Sequence, residues 1–365
     1  MKTNNFTTIG KGKYRILFCL HQQYITPELD TELKKMNIEL SCLDKNYIVS
    51  IQSKIPTGMT INGARIFPKN LNSIKDKWYK DFFDNILNFV IKNKIKYIIT
   101  TYNIFCDAHL KKFRELGIRT ATIFTDDPED TYTISKVYAP KYDKIICSGV
   151  QFNEHKTIEE VIRSFGIKDV KFLPLPPFPS HYDKEKIDYN KKDIDIVYIG
   201  AIQWRKWHRL YLLHKNFPNK FVLYSAYDPR NKKDVYGLMY RLLNRVWPLP
   251  KVTNLPDSEV KQIYKRAKIG FNCHQKWGPA NTRTYELCLN GVLQITDNPK
   301  GNSRLFNVGK EILCYNNMDE AIQFIRYYLK NDSKRIQISK AGYVKAWKEY
   351  TSEKNVTNYM RYVLK

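Results

Sequence analysis

Apolar and polar positions change period several times along the chain, and each change marks an element. Residues 14–20 (Tyr-Arg-Ile-Leu-Phe-Cys-Leu) read as a short buried strand, and residues 28–36 follow with Leu29 and Leu33 on one helical face. Over residues 75–94 the apolar positions 78, 79, 82, 83, 86, 87, 90 and 91 have the period of an amphipathic helix, which leads into a strand over 97–101. The pattern then predicts a helix over 105–116, a strand over 118–124, a strand over 144–147 and a helix over 154–165. Strands alternating with helices predict parallel sheets covered on both faces.

The stretch 173–193 breaks the alternation. Leu-Pro-Leu-Pro-Pro-Phe-Pro over 173–179 can continue neither a helix nor a central strand, and a charged run ending Asn190-Lys191-Lys192 follows it. A second series then opens: strand 195–200, helix 205–215, strand 220–224, helix 257–267, strand 268–273, helix 282–290, strand 292–296 and helices from 319 onward. The expected organisation is an N-terminal α/β domain over 1–174, a linker over 175–193, a second α/β domain over 194–350, and a C-terminal helix over 351–365 packing back toward the first domain. Two α/β halves of similar size predict Rossmann-like domains facing a central cleft.

A length of 365 residues with 43% apolar content supports two hydrophobic cores. The apolar runs are far shorter than the roughly 18 residues a bilayer crossing needs, and residues 1–12 lack the apolar region of a signal peptide, so a cytosolic chain is expected. Cysteines at 19, 42, 106, 147, 273, 288 and 314 form no C-x-x-C pair, which points to buried free thiols rather than a disulfide framework or a metal site. Against 36 acidic residues stand 61 Lys and Arg, a net charge of +25. That field favours anionic partners, although a lysine-rich source composition would supply much of it.

Three clusters could carry chemistry. Asn281-Thr282-Arg283-Thr284-Tyr285-Glu286 lies between a strand and a helix, where unpaired N–H groups at a helix start favour phosphate. Asn281 or Thr282 suits the N-cap. Arg283 and Glu286 share one face, so a guanidinium could pair with a diphosphate while the carboxylate accepts ribose hydroxyls, a geometry suited to a nucleotide sugar; the same spacing also suits a surface ion pair. In the second cluster, Gly200 and Ala201 end a strand and Arg205 and Arg209 follow, so the backbone can approach a ligand whose phosphates the arginines reach. No complete dinucleotide fingerprint is present, which argues against a dehydrogenase. His274 joins this donor-binding set. In the third cluster, Asp126 just beyond a strand suits a general base, with Asp127, before Pro128, as the second candidate; both also suit turns or caps.

Residues 268–351 hold in order Gly270-Phe271-Asn272, the run from Asn281 to Gly291, Thr296-Asp297, the run from Phe306 to Glu311, Tyr315, the run from Ile325 to Leu329, Ala341-Gly342 and Tyr350-Thr351. This series closely resembles the C-terminal domain of CgeB-like glycosyltransferases, named for a spore maturation protein, and weaker agreement extends to residues 195–200 and Asp126-Asp127-Pro128. The resemblance implies a GT-B fold, two Rossmann-like domains with a nucleotide-diphosphate sugar held mainly by the second. The layout is also similar to phage DNA β-glucosyltransferases, whose equivalents of Asp126, of Arg205 and Arg209, and of Arg283 and Glu286 act as base, diphosphate ligands and ribose ligands. Retaining GT-B relatives place a glutamate eight residues before another, where this chain has Gly278. The resemblance therefore implies inversion by single displacement, with Asp126 as base and no required metal or cofactor.

The acceptor stays open. Between Gln203 and Lys251 eleven Lys or Arg stand against Asp228 and Asp234, and residues 236–247 read as a basic amphipathic helix. Arg230, Lys232, Lys233, Arg241 and Arg245 are the candidate acceptor-binding residues, for a membrane surface or a polyanion, unless this helix only covers its own domain. Three readings follow: an enzyme glycosylating a surface glycan, protein or lipid-linked precursor at the inner membrane face, an enzyme glycosylating hydroxymethylated bases in DNA, or a catalytically silent binding module.

Overall fold

The computed structural model describes residues 6–21, 24–43, 59–61, 64–66, 72–101, 104–124, 131–225, 228–274, 281–297 and 299–365. The chain forms two compact units, Met1–Pro174 with Glu353–Lys365, and Leu175–Ser352.

In the first unit the strands are β1 (Phe6–Gly10), β2 (Tyr14–His21), β3 (Ile38–Leu43), a separate antiparallel hairpin of β4 (Met59–Ile61) and β5 (Ala64–Ile66), then β6 (Tyr97–Thr101), β7 (Arg119–Phe124), β8 (Lys144–Cys147) and β9 (Val170–Phe172). The seven-stranded sheet runs β1-β3-β2-β6-β7-β8-β9, parallel except where β1 pairs antiparallel with β3. Helices α1 (Pro27–Lys35), α2 (Asn72–Lys92), α3 (Asp107–Glu115) and α4 (Ile158–Ser164) accompany it. Leu17, Ile98, Phe113 and Ile145 meet in its core. Helix α4 begins four residues later than the apolar pattern predicts. The Asn153 side chain accepts from His155 and Lys156 N–H and holds that stretch in a turn, and Thr157 and Glu160 then form a capping box.

The second unit has a six-stranded, wholly parallel sheet. Its strands are β10 (Ile194–Ile199), β11 (Phe221–Ser225), β12 (Val252–Asn254), β13 (Ala267–Asn272), β14 (Leu293–Thr296) and β15 (Leu313–Cys314), in the order β12-β11-β10-β13-β14-β15. The order reverses between β10 and β13, and in open α/β sheets ligands bind beyond the carboxyl ends of the strands at such a switch point. The helices are α5 (Trp204–Asn216), α6 (Val235–Val246), α7 (Asp257–Arg266), α8 (Arg283–Leu289), α9 (Met318–Lys330) and α10 (Asp332–Glu349). Tyr198, Trp207, Phe271 and Ile295 are fully buried in the core.

The proline-rich stretch expected as a linker is packed into this second unit. Asp183 pairs with Lys261 and Lys265 at 2.9 and 2.8 Å, and the buried Lys192 ammonium donates to the carbonyls of Lys265 and Asn290 at 3.0 and 3.3 Å. Lys192 thereby binds the C-terminal ends of both α7 and α8, where a cation is favoured. The final helix, α11 (Ser352–Leu364), belongs to the first unit from Glu353 on, and its Tyr359 lies edge-on to Phe18 and donates to the Pro174 carbonyl at 2.9 Å. All seven cysteines are free thiols, and only Cys106 is exposed. Among the described residues no helix is long and apolar enough to cross a membrane, and no cluster of three or more His, Cys, Asp or Glu could hold a metal ion.

Candidate functional site

The switch point of the second sheet is built around Arg283. Strand β10 ends at Ile199, and Gly200 follows at φ +150°, a backbone conformation that side-chain-bearing residues rarely adopt. A Cβ on Gly200 would stand 1.8 Å from Arg283 Nη2. The guanidinium therefore occupies the space the missing side chain leaves. Arg283 Nε donates to the Ile199 carbonyl, Nη1 donates to Asn272 Oδ1 at 2.9 Å, and the group lies over the Tyr198 ring at 4.5 Å. These three partners are uncharged; the Glu286 carboxylate acts on the guanidinium through space, and the guanidinium keeps its charge at any working pH. A buried permanent cation at a switch point is a strong site for an anion.

Asn272, the last residue of β13, organises the rest. Its Oδ1 accepts from Arg283 and from Asn281 Nδ2 at 3.0 Å, while its Nδ2 donates to Thr284 Oγ1 at 3.1 Å. Asn281 Oδ1 accepts the Thr284 N–H at 3.2 Å, and Thr282, the N-cap by position, makes no side-chain cap bond. The Thr282 carbonyl accepts from Tyr285 and Glu286 N–H. The helix start is thus largely satisfied by the chain itself, and the side chains carry the recognition. All seven residues of α8 are buried. Glu286 Oε1 accepts from Phe178 N–H at 3.3 Å and lies 3.1 Å from His181 Nδ1. Burial acts against charge on His181, but Glu286 and Asp257 outweigh it and raise its pKa.

A second cluster sits at the ends of β13 and β14. Asp297 accepts from the His274 backbone N–H at 2.9 Å and from Arg209 Nη1 at 2.7 Å, and its Oδ1 lies 2.6 Å from His274 Nδ1. Burial would raise the Asp297 pKa; His274 and Arg209 reverse that and hold it below the usual carboxylate range. An ionised Asp297 makes Nδ1 the protonated nitrogen and turns Nε2 toward a further partner. Nε2 is buried and has no hydrogen-bonding partner among the described residues. Arg209, expected to reach phosphates, is engaged by Asp297 and the His274 carbonyl. Arg205 lies over the Trp204 ring at 5.2 Å, and the Ala201 carbonyl accepts from Tyr198 Oη at 3.0 Å.

The candidate acceptor residues divide. Arg230 is only 18% exposed and is locked onto Asp228, with Nη1 on Asn244 Oδ1 at 3.0 Å, so it braces its own loop. Lys232, Lys233, Arg241 and Arg245 are exposed. Asp126, Asp127 and Gly278 lie outside the described residues. The chemical reading of the sequence missed Asn272, His181 and Asp297. Asp297 had a legible signal, because it stands just past a strand, the same position that singled out Asp126.

The fold is GT-B, two parallel-sheet α/β domains like those of solved glycosyltransferase structures. A glycosyltransferase from Rickettsia africae is similar at 12% identity and TM-score 0.62, over 97% of this chain and 99% of that one. The Anabaena protein HepE, solved with UDP-glucose, is similar at 11% identity and TM-score 0.62, over 95% and 98%. An α-glucosyltransferase solved with UDP and a 13-mer DNA containing an HMU base is similar at 11% identity and TM-score 0.60, over 97% and 100%. The family model described as "Glycosyl transferase-like" matches residues 219–361, which include α8, His274 and Asp297. No curated protein sequence matches the chain.

Proposed function

We propose that the chain is a nucleotide-sugar-dependent glycosyltransferase of the CgeB-like kind, with a donor such as a UDP-sugar bound at the carboxyl end of the second sheet. The observation that carries this is the buried Arg283 guanidinium set into the space of Gly200 at the switch point. Arg283 faces the donor's diphosphate, His274 Nε2 accepts from a hydroxyl of the donor, and Glu286 accepts ribose hydroxyls through Oε2 while Oε1 stays on the Phe178 N–H. Supporting it are the match of residues 219–361 and the UDP and UDP-glucose carried by the structural neighbours.

The chemistry is an inverting single displacement. Asp126 takes the proton of an acceptor hydroxyl, the oxygen bonds to the anomeric carbon, and the bond from that carbon to the phosphate oxygen breaks with its electron pair leaving on the nucleoside diphosphate. Arg283 stabilises that leaving charge in a water-poor site. The acceptor is a surface glycan, a protein or a lipid-linked precursor. A second reading, transfer to hydroxymethylated bases in DNA, is favoured by the net charge of +25 and by the DNA-bound neighbour.

A thermal-shift panel of nucleotide sugars tests the donor, because a ligand at about 100 times its dissociation constant adds about 2.7 kcal/mol of stability. The matching donor shifts the wild type, and Arg283→Ala abolishes the shift; unchanged affinity in Arg283→Ala removes the assignment. Asp126→Asn is expected to bind the donor normally and to transfer nothing, and retained turnover would mean another base.

A further inference from the structure

Helix α6 carries two apolar faces, and its own unit uses one. Tyr240, Leu243 and the adjoining Trp247 pack on the core of the second unit, with Tyr240 5.4 Å from the Trp207 ring and the Trp247 carbonyl accepting from Trp207 Nε1. Val235, Leu238, Leu242 and Val246 are spaced to share the opposite side of the helix, and they are 80, 51, 49 and 66% exposed. Single exposed apolar side chains are ordinary; four in one stripe mark an interaction surface.

The stripe has a cationic rim. Arg241 and Arg245 border it along the helix, and Lys232 and Lys233 stand before its first turn, all exposed. Arg241 Nη1 donates to the carbonyls of Arg230 and Lys232 at 2.9 Å, which fastens the basic loop against the helix. Gly237 allows this close fit, since a Cβ there would stand 1.8 Å from the Lys232 carbonyl oxygen. The neighbouring acids are locally engaged: Asp234, though exposed, caps α6 through the Gly237 N–H, and Asp228 is bound by Arg230. An apolar stripe bordered by cations complements an anionic bilayer surface, where acyl chains receive the Leu and Val side chains and lipid phosphates receive the Lys and Arg. Nucleic acid would satisfy the cations and offer little to Leu238 and Leu242.

We propose that α6 docks the protein on an anionic membrane surface, with Val235, Leu238, Leu242 and Val246 entering the headgroup boundary. This stands independently of the donor assignment. The test is co-sedimentation of the full chain with vesicles of phosphatidylcholine alone or mixed with an equal amount of phosphatidylglycerol, in parallel with binding to duplex DNA. Wild type is expected to bind the mixed vesicles and not the neutral ones, and Leu238→Glu with Leu242→Glu to lower that binding at least about tenfold. Both positions are exposed, so the double variant should keep the wild-type melting temperature and affinity for UDP. Failure of the wild type to bind mixed vesicles, or binding indifferent to the double substitution, overturns the proposal. Tight DNA binding with no vesicle binding would assign the surface to nucleic acid instead.

Discussion

Gly200 and Arg283 are a matched pair, and the match makes a sharp prediction. Gly200→Ala places a methyl group 1.8 Å from Arg283 Nη2 at φ +150°, so both the backbone and the guanidinium must move. The expected cost is about 1–3 kcal/mol of stability from the backbone alone, with donor affinity reduced at least about tenfold, measured by calorimetric titration with UDP beside thermal unfolding. Arg283→Lys should lose nearly as much affinity, since a point charge cannot reach the Ile199 carbonyl and Asn272 together as the planar fork does. Two buried cations add opposite pH signatures. Burial, with Arg335 adding to it, pushes the Lys192 ammonium down to about 7, below the range of an exposed lysine. The unfolded chain therefore binds a proton the folded chain has released, and stability rises with pH above about 7 until the unfolded lysine titrates as well. His181 is raised by Glu286 and Asp257, so its contribution is present at low pH and fades as pH climbs through its folded value. Denaturant unfolding over this range should show the alkaline rise vanish in Lys192→Met while the fall linked to His181 persists.

At the level of elements, α8 concentrates what the sequence could and could not disclose. Its position between two strands was readable because the apolar period switches there, and the Arg283 and Glu286 spacing put both on one face. The partners were not readable. Asn272 is the last residue of β13 and His181 lies in the proline-rich stretch, so both meet α8 only through long-range packing, which periodicity does not encode. The boundary of α4 was hidden for a local reason, since the Asn153 turn and the Thr157 cap lie in the polar run Asn153-Glu154-His155-Lys156-Thr157, which has no apolar period to mark the helix start. β1, β3, β9, β12 and β15 and the hairpin of β4 and β5 were not exposed by the alternation, most of them because strands of two or three residues carry too few positions to show a period. Asn281 supplies an element-scale prediction. Asn281→Ala removes the side-chain acceptor of the Thr284 N–H, which keeps the Asn281 carbonyl, and a donor to Asn272, so it should cost up to about 1 kcal/mol as a lost cap. It should also weaken UDP binding, because Asn272 is then free to release Arg283; Asn281→Asp, which keeps the capping oxygen, should recover the stability and not the affinity.

At the level of the whole molecule, a net charge of +25 attracts every polyanion, so attraction alone does not identify an acceptor. Salt dependence separates the cases. Contacts to DNA phosphates release counterions, and each contact steepens the fall of log affinity with log salt by about 0.9. Insertion of the Leu238 and Leu242 side chains into a bilayer boundary is apolar and is not screened, while the electrostatic share fades as the Debye length shortens to about 8 Å at physiological ionic strength. Raising salt from low to physiological should therefore strip the chain from unmodified duplex DNA far more completely than from phosphatidylglycerol vesicles. Transfer to a membrane-presented acceptor should persist where DNA association has been lost. The opposite order, with vesicle binding vanishing first and transfer tracking DNA containing hydroxymethylated bases, would make DNA the substrate and leave the donor site at Arg283 unchanged.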